Sequence, residues 1–343
     1  MTSQRHHISG NHREIGRQLG DRYAGEIRKI IAAHPELNRK MRPCYSTPEG
    51  RRRYDAFLDI HRHIYPDYVM ELQGMADGAG CDFRDLFMLN LRGEYLPFDT
   101  DDASGGCSTC SVATPACRLI GHNEDAAALY RDVLFIADIA PENGPPFTTL
   151  TYPGTLCGNA AGWNSHGIFF TVNITAPRHV RIGPGRYFAA RSLLEARSLD
   201  DAVARITGPR RASGFNYTVA SRTDCRIINV EVTAGAFHVR EIDGAYFHTN
   251  HYIELPGTDQ MITESSRRRL EHGRAHLARS IPENADALRT LLGDDSAIYR
   301  RADTPEETAT LMTILCDLVS RTVTIHTGHP VDEPSRQLHF RLP

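Results

Sequence analysis

The chain has 343 residues, 41% of them apolar and 24% charged, with a formal net charge of -3. That is material for one large domain or two modest ones around a sizeable core, and nothing in it demands a nucleic-acid or membrane partner. The start, Met1 to His7, lacks the apolar h-region of a signal peptide, and no window approaches the ~18 apolar residues of a membrane span, so a cytoplasmic protein is expected.

From Glu14 to Ile31 apolar residues recur at helical spacing, and Arg51 to Met75 continues in the same manner around Pro66. The first hundred residues therefore read as mostly helical. Near residue 106 the character changes to short apolar or alternating runs, Leu119 to His122, Val133 to Ile139, Phe147 to Tyr152 and Gly167 to Asn173, separated by Gly, Pro and Asn. These predict antiparallel strands. Helical period returns from Tyr187 to Ala196 and again after the capping pair Ser198 and Asp201. A second strand set follows at Phe215 to Ala220, Arg226 to Val232 and Ala236 to Ile242. Two helices, about Glu264 to Ser280 and Ala285 to Leu292, precede final strands at Leu311 to Val319, Thr322 to His326 and Gln337 to Arg341. Strands grouped between grouped helices predict an α+β layered fold rather than a parallel βαβ sheet. The basic cluster Arg267-Arg268-Arg269, with Arg274 and Arg279, reads as a solvated helix face.

The eight cysteines (Cys44, Cys81, Cys107, Cys110, Cys117, Cys157, Cys225 and Cys316) are scattered, and in a reducing compartment most are expected as free thiols. Ala103-Ser-Gly-Gly-Cys107-Ser-Thr-Cys110 lies where helical composition gives way to strands. The Cys107 and Cys110 pair suggests a redox site or half a zinc site, with Cys117 or His122 as further ligands. The same cysteine also fits a nucleophile. Gly106 leaves its carbonyl open to attack by the flanking thiol, and cleavage would create an N-terminal cysteine whose α-amine, with a reference pKa of ~7.7–8.0, serves as its own base. Gly121-His-Asn-Glu-Asp125 ends a strand that could run beside the one starting at Cys107, so Asp125 would orient that amine; alone it would read as a turn residue. Asn173 and Asn250 are candidate donors to a tetrahedral oxyanion, and singly each would read as a turn former.

The ordered set is more specific than its parts. It comprises Gly10-x5-Gly16-x3-Gly20, Tyr65-Pro66, Glu71-Leu72-x-Gly74, Gly78-Ala-Gly80-Cys-Asp82 and Leu89-Asn90-x-Arg92-x-Glu94, followed by Gly106-Cys107-Ser-Thr109, Gly121-x-Asn123-x-Asp125, Gly162-Trp-Asn164-Ser-x-Gly167 and His248-Thr-Asn-His251. Across nearly the whole chain this resembles the acyl-coenzyme A:isopenicillin N (6-aminopenicillanic acid) acyltransferases and their N-terminal-nucleophile hydrolase relatives. The resemblance implies a four-layer αββα sandwich, with residues 1–106 as a mainly helical pro-segment or small subunit, residues 107–343 as the catalytic core, and both in one integrated domain. It also implies Cys107 as nucleophile, Asp125 as partner of its amine, Asn250 as oxyanion or orienting group, and Asn173 in a lesser role.

The expected activity is hydrolysis of a linear small-molecule amide, or acyl transfer, through an acyl-Cys107 intermediate after self-cleavage between Gly106 and Cys107, in secondary metabolism. No metal or tightly bound cofactor is expected, although acyl-coenzyme A could be a co-substrate. The expected partners are a small-molecule amide or acyl donor and, after cleavage, the chain's own two fragments. An uncleaved, non-catalytic binding or scaffold protein of the same fold is the alternative. Where the penicillin enzymes carry a Ser-Arg pair before their late Thr-Leu strand, this chain has Glu306-Glu307 before Thr308. An anionic substrate group would there meet carboxylates, which points away from penicillin chemistry and leaves an amine-bearing substrate open.

Overall fold

The computed structural model describes residues 5–98, 106–332 and 336–343. A short strand, β1 (Arg5–Gly10), leads into α1 (His12–Arg22), which starts at Asn11 through a reciprocal capping box with Glu14. The helical run expected over Glu14 to Ile31 is two helices, because Tyr23 ends α1 and begins α2 (Ala24–Ala33) at φ -109° and ψ 24°. A π-helical turn (Leu37–Met41) and α3 (Arg42–Tyr45) lead to α4 (Pro48–Ile64). The Tyr65-Pro66 step then separates α4 from α5 (Pro66–Ala79), since proline suits a helix's first turn and disfavours helix at the preceding residue. Helix α6 (Phe83–Leu89) follows, capped by Asp82.

The paired glycines of the early motif have one cause. Helices α1 and α5 cross with backbones in contact, so a Cβ on Gly16 would stand 1.8 Å from the Glu71 carbonyl oxygen, and one on Gly74 2.0 Å from that of Arg13. Gly20 and Gly78 face the same crossing one turn on.

Eight strands form the first sheet. Its order is β1, β4 (Phe135–Pro141), β5 (Phe147–Thr151), β6 (Ala161–Asn164), β7 (Ile168–Asn173), β8 (Asn216–Ser221), β9 (Arg226–Val232) and β10 (Phe237–Glu241). Among the described residues only β1 and β4 pair in parallel. The second sheet is antiparallel, in the order β11 (Gly244–His248), β2 (Ser108–Ala113), β3 (Arg118–Ala127), β12 (Thr308–Asp317), β13 (Thr322–Thr327) and β14 (Arg336–Arg341).

Strand alternation sorts the core into layers. Phe135, Ala137, Ile139, Ile168, Phe170 and Val172 point from the first sheet into the same apolar cluster as Ile15, Leu72 and Phe87 of the early helices, together with α7 (Arg186–Leu193) and α8 (Leu199–Thr207). Their neighbours Ile136 and Phe169 point the other way and meet Ile120, Ile314, Val323 and Ile325 of the second sheet. On that sheet's outer side Cys110, Val112 and Leu119 pack under α9 (Glu264–Arg279) and α10 (Ala285–Leu292) through Leu270, Leu288 and Leu291. Helices, two stacked sheets and helices make a four-layer αββα sandwich, the architecture that the resemblance implies. Because both sheets are covered on both faces, several strands read as continuous apolar runs rather than clean alternation. Among the described residues no helix is long and apolar enough to cross a membrane.

Candidate active site

The pairing of β2 with β3 builds the centre of the site. Ser108 stands opposite Asn123, and the Gly106 N–H continues the ladder by donating to the Asp125 carbonyl oxygen at 3.3 Å. Cys107 therefore faces Glu124 across the strand pair, and alternation sends Cys107, Thr109, His122 and Glu124 toward the first sheet. Thr109 confirms that direction by donating to Asn173 of β7 at 2.8 Å. Ser108 and Cys110 point the other way, and the fully buried Cys110 lies in the apolar layer beneath α9 and α10 with Cys117. Cys107 and Cys110 thus stand on opposite faces of one strand, which removes the Cys-x-x-Cys pairing. Of the suggested metal ligands only His122 joins Cys107. Their donor atoms and a Glu124 oxygen lie within 4.8 Å of one another, a set that could hold a metal ion.

The strand β11 brings Asn250 to the same point, because His248 pairs with Thr109 and Asn250 follows two residues on. The Cys107 N–H donates to Asn250 Oδ1 at 3.0 Å, and Arg269 Nη2 donates to that same oxygen at 2.7 Å. Two donors facing one atom identify it as the amide oxygen. The Nδ2 group of Asn250 is spent on the Ile174 carbonyl at 3.0 Å. Asn250 therefore stands against the Cys107 nitrogen, and it accepts from that nitrogen where a donated bond was expected.

Arg269 corrects the solvated-face reading of the basic cluster. It is 1% exposed, on the buried side of α9 with Ser266, Leu270 and Gly273, while Arg267 and Arg268 face solvent. Helical spacing from Ser266 to Gly273 was the available signal. Its Nη1 donates to the Cys107 carbonyl oxygen at 2.6 Å and to Ser108 Oγ at 3.0 Å. The space around Gly106 is filled accordingly, since a Cβ there would stand 2.6 Å from both Arg269 Nη2 and Asn250 Oδ1.

Asp125 points to the Arg269 side. Its Oδ1 accepts from Thr310 of β12 at 2.7 Å, and its buried Oδ2 has no hydrogen-bond partner. Burial pushes its carboxyl up to about 6, against the pull of Arg269 and Arg300. Burial also drives the Cys107 thiol well above its usual range, helped by Glu124 and Asp125 and opposed by the Asp125 backbone hydrogen bond and Arg269. In the continuous chain that thiol is neutral. Asn173 stands one step further out: Thr109 and Asn216 (3.3 Å) both donate to its Oδ1, and its buried Nδ2 has no partner.

The carboxylate nearest the sulfur is Glu124, which the motifs had not singled out. Cys107 Sγ donates to Glu124 Oε2 at 3.5 Å, the Tyr152 hydroxyl donates to Oε1 at 2.6 Å, and His122 Nε2 meets Oε2 at 3.1 Å. Glu306 and Glu307 are exposed, and Glu307 accepts from the Asp303 amide at 2.9 Å.

Among families of known proteins, the one described as acyl-coenzyme A:6-aminopenicillanic acid acyl-transferase matches residues 112–332, a span that holds Asp125, Asn173 and Asn250 and begins beyond Cys107. The chain is 29% identical to a β-alanyl-dopamine/carcinine hydrolase of Drosophila melanogaster, with 97% of this chain and 94% of that protein covered. It is 26% identical to the 40 kDa form of the acyl-coenzyme A:6-aminopenicillanic-acid-acyltransferase of Emericella nidulans, covering 94% of this chain and 91% of the other. Among solved structures, a mutant of the conjugated bile acid hydrolase from Clostridium perfringens aligns at a TM-score of 0.48 and 11% identity, over 69% of this chain and 92% of that one.

Proposed function

The chain belongs to the acyl-coenzyme A:6-aminopenicillanic acid acyl-transferase family, an amide hydrolase or acyltransferase by its relatives, and from that premise we propose that it is a self-maturing amidohydrolase with Cys107 as nucleophile. In maturation Cys107 Sγ attacks the Gly106 carbonyl carbon, the Gly106–Cys107 C–N bond breaks, and the acyl group moves to sulfur as the nitrogen takes up the thiol proton. Water then hydrolyses that thioester, leaving a Gly106 carboxylate, a free thiol and a free α-amine on Cys107.

The observation that carries this reading is the convergence of polar groups on the backbone of Cys107. Asn250 Oδ1 holds it, Arg269 holds the carbonyl of the same residue, and the Asp125 carboxylate shares the Arg269 field with one oxygen unpaired. A new ammonium at that nitrogen would give Asp125 a compensating charge. In turnover the α-amine takes the thiol proton, the sulfur attacks the amide carbonyl, the amine product leaves with that proton, and water releases the acid from acyl-Cys107. Water is the acceptor because nothing is needed to supply it, whereas a transferase must exclude it.

The test is denaturing electrophoresis and intact mass of wild type and Cys107→Ala, with β-alanyl-dopamine as first substrate because the fly relative is named for it. Wild type should run as two fragments divided after Gly106 and show a transient acyl adduct on the larger one. Cys107→Ala should remain a single inert chain. A wild type that turns over amides while staying in one piece refutes the maturation step.

A further inference from the structure

We propose that Glu124 is the counter-charge for a cationic amine in the acyl half of the substrate, so that the acyl group received by Cys107 carries an ammonium two or three bonds from its carbonyl. This rests on Cys107 being the acylated nucleophile. The two neighbouring carboxylates of β3 are treated oppositely by the fold. Asp125, on the helix side, has Arg269 and Arg300 in its field. Glu124, on the inter-sheet side, has neither Arg nor Lys in ion-pair range among the described residues; its ionic partner there is His122, which is charged only when protonated.

Glu124 is 5% exposed and faces no fixed Arg or Lys among the described residues, so a ligand's positive charge would find an unshared counter-charge there. Its position says which charge that would be. Glu124 Oε2 is 3.5 Å from the sulfur that carries the acyl group, so a flexible chain two or three bonds long can fold an ammonium back onto it. The remaining surroundings suit a cation as well. The partly exposed Tyr152 donates its hydroxyl to Oε1, which leaves its ring as an apolar wall, and the partly exposed Tyr130 meets that ring edge to face at a centroid distance of 5.7 Å. An acidic acyl group would instead bring like charge to a buried carboxylate.

The experiment compares kcat/KM for three p-nitroanilides of equal chain length, bearing 3-aminopropanoyl, butanoyl and succinyl groups, on wild type, Glu124→Gln and Glu124→Asp, with the processed fraction of each measured by gel. Wild type should prefer 3-aminopropanoyl to butanoyl by about 100-fold and turn over succinyl slowest. In Glu124→Gln the first ratio should fall to near one and the relative rate on succinyl should rise, while Glu124→Asp should keep the preference for the ammonium. A wild type without that preference overturns the proposal whatever the variants do. So does a Glu124→Gln protein slowed equally on all three, which would make Glu124 a proton acceptor or a structural group. Absence of any acyl-Cys107 in wild type with all three compounds refutes the amidohydrolase reading itself, and the role of Glu124 falls with it.

Discussion

Replacing Asp125 by Asn in a chain already carrying Cys107→Ala, so that neither protein can cleave, measures how far the site's own charge strains the fold. Burial raises the Asp125 carboxyl from its ordinary 3.8 to about 6, even with Arg269, Arg300 and the Thr310 hydroxyl pulling the other way. A carboxyl whose folded pKa lies above its unfolded one contributes its stability in full below the unfolded value and loses it as pH rises through the folded value. Between 3.8 and about 6 that loss is about 3 kcal/mol, at 1.36 kcal/mol for each pH unit. Asn keeps an acceptor for Thr310 and removes the charge. Urea unfolding of the two proteins at about pH 4, 5.5 and 7.5 should therefore show the parent falling behind the Asn variant by about 2.5 kcal/mol over that range, the first part of the loss lying below about pH 4. Every other titrating group, including the buried Glu94 raised to about 7, is shared and cancels in the difference. The offset from the unpaired Asn amide is constant with pH and does not affect the slope. A difference between the two proteins that stays flat from about pH 4 to 7.5 would refute the claim that Asp125 is a buried charge waiting for a partner.

Asn250→Ala should lower turnover per folded, processed molecule by about 10²-fold, because the acceptor that positions the Cys107 nitrogen is lost. It should also lower the melting temperature, since the Cys107, Arg269 and Ile174 contacts go with it; a normal rate with a lowered melting temperature would remove Asn250 from the catalytic machinery. Cys110→Ser should keep most activity at a stability cost of roughly 1–3 kcal/mol for an added hydroxyl in the apolar layer under α9 and α10. A loss as deep as that of Cys107→Ser, read in the same amide assay, would restore a shared role for the two thiols.

Much of the architecture was legible because it is written in local chemistry. The capping pair Ser198 and Asp201 opens α8, Pro66 opens α5, and the apolar runs of β3, β5, β7 and β12 stand within a few residues of where spacing put them. The strands that escaped were those with weak patterns. The strand β1 mixes two histidines with one buried isoleucine and is held by its parallel pairing to β4; β6 is four residues long and contains a glycine. Within the candidate site, Cys107 stood out at its glycine-cysteine junction, whereas Asp125 and Asn250, which read singly as turn residues, were picked out by the ordered motif set.

The remaining choices belong to distance in the chain. Arg269 follows Cys107 by 162 positions, and inside an arginine triplet its charge reads as solvated; only the face of α9 turned to β2 and β11 makes it a buried partner of the Cys107 carbonyl. Glu124 and Asp125 are adjacent, chemically alike letters in the sequence. The pleat of β3 sends one to the sulfur and Tyr152 and the other to Thr310 and the arginines, because successive side chains of a strand point to opposite faces. By itself, then, the sequence determined a layered α+β fold through periodicity and caps, which are local properties, and its ordered motifs, through the family they resemble, implied the αββα sandwich and Cys107 as the residue to suspect. Which charges surround that residue, and which of its atoms each one meets, was decided only when two sheets and a helix converged, since a buried charge takes its meaning from partners far away in the chain.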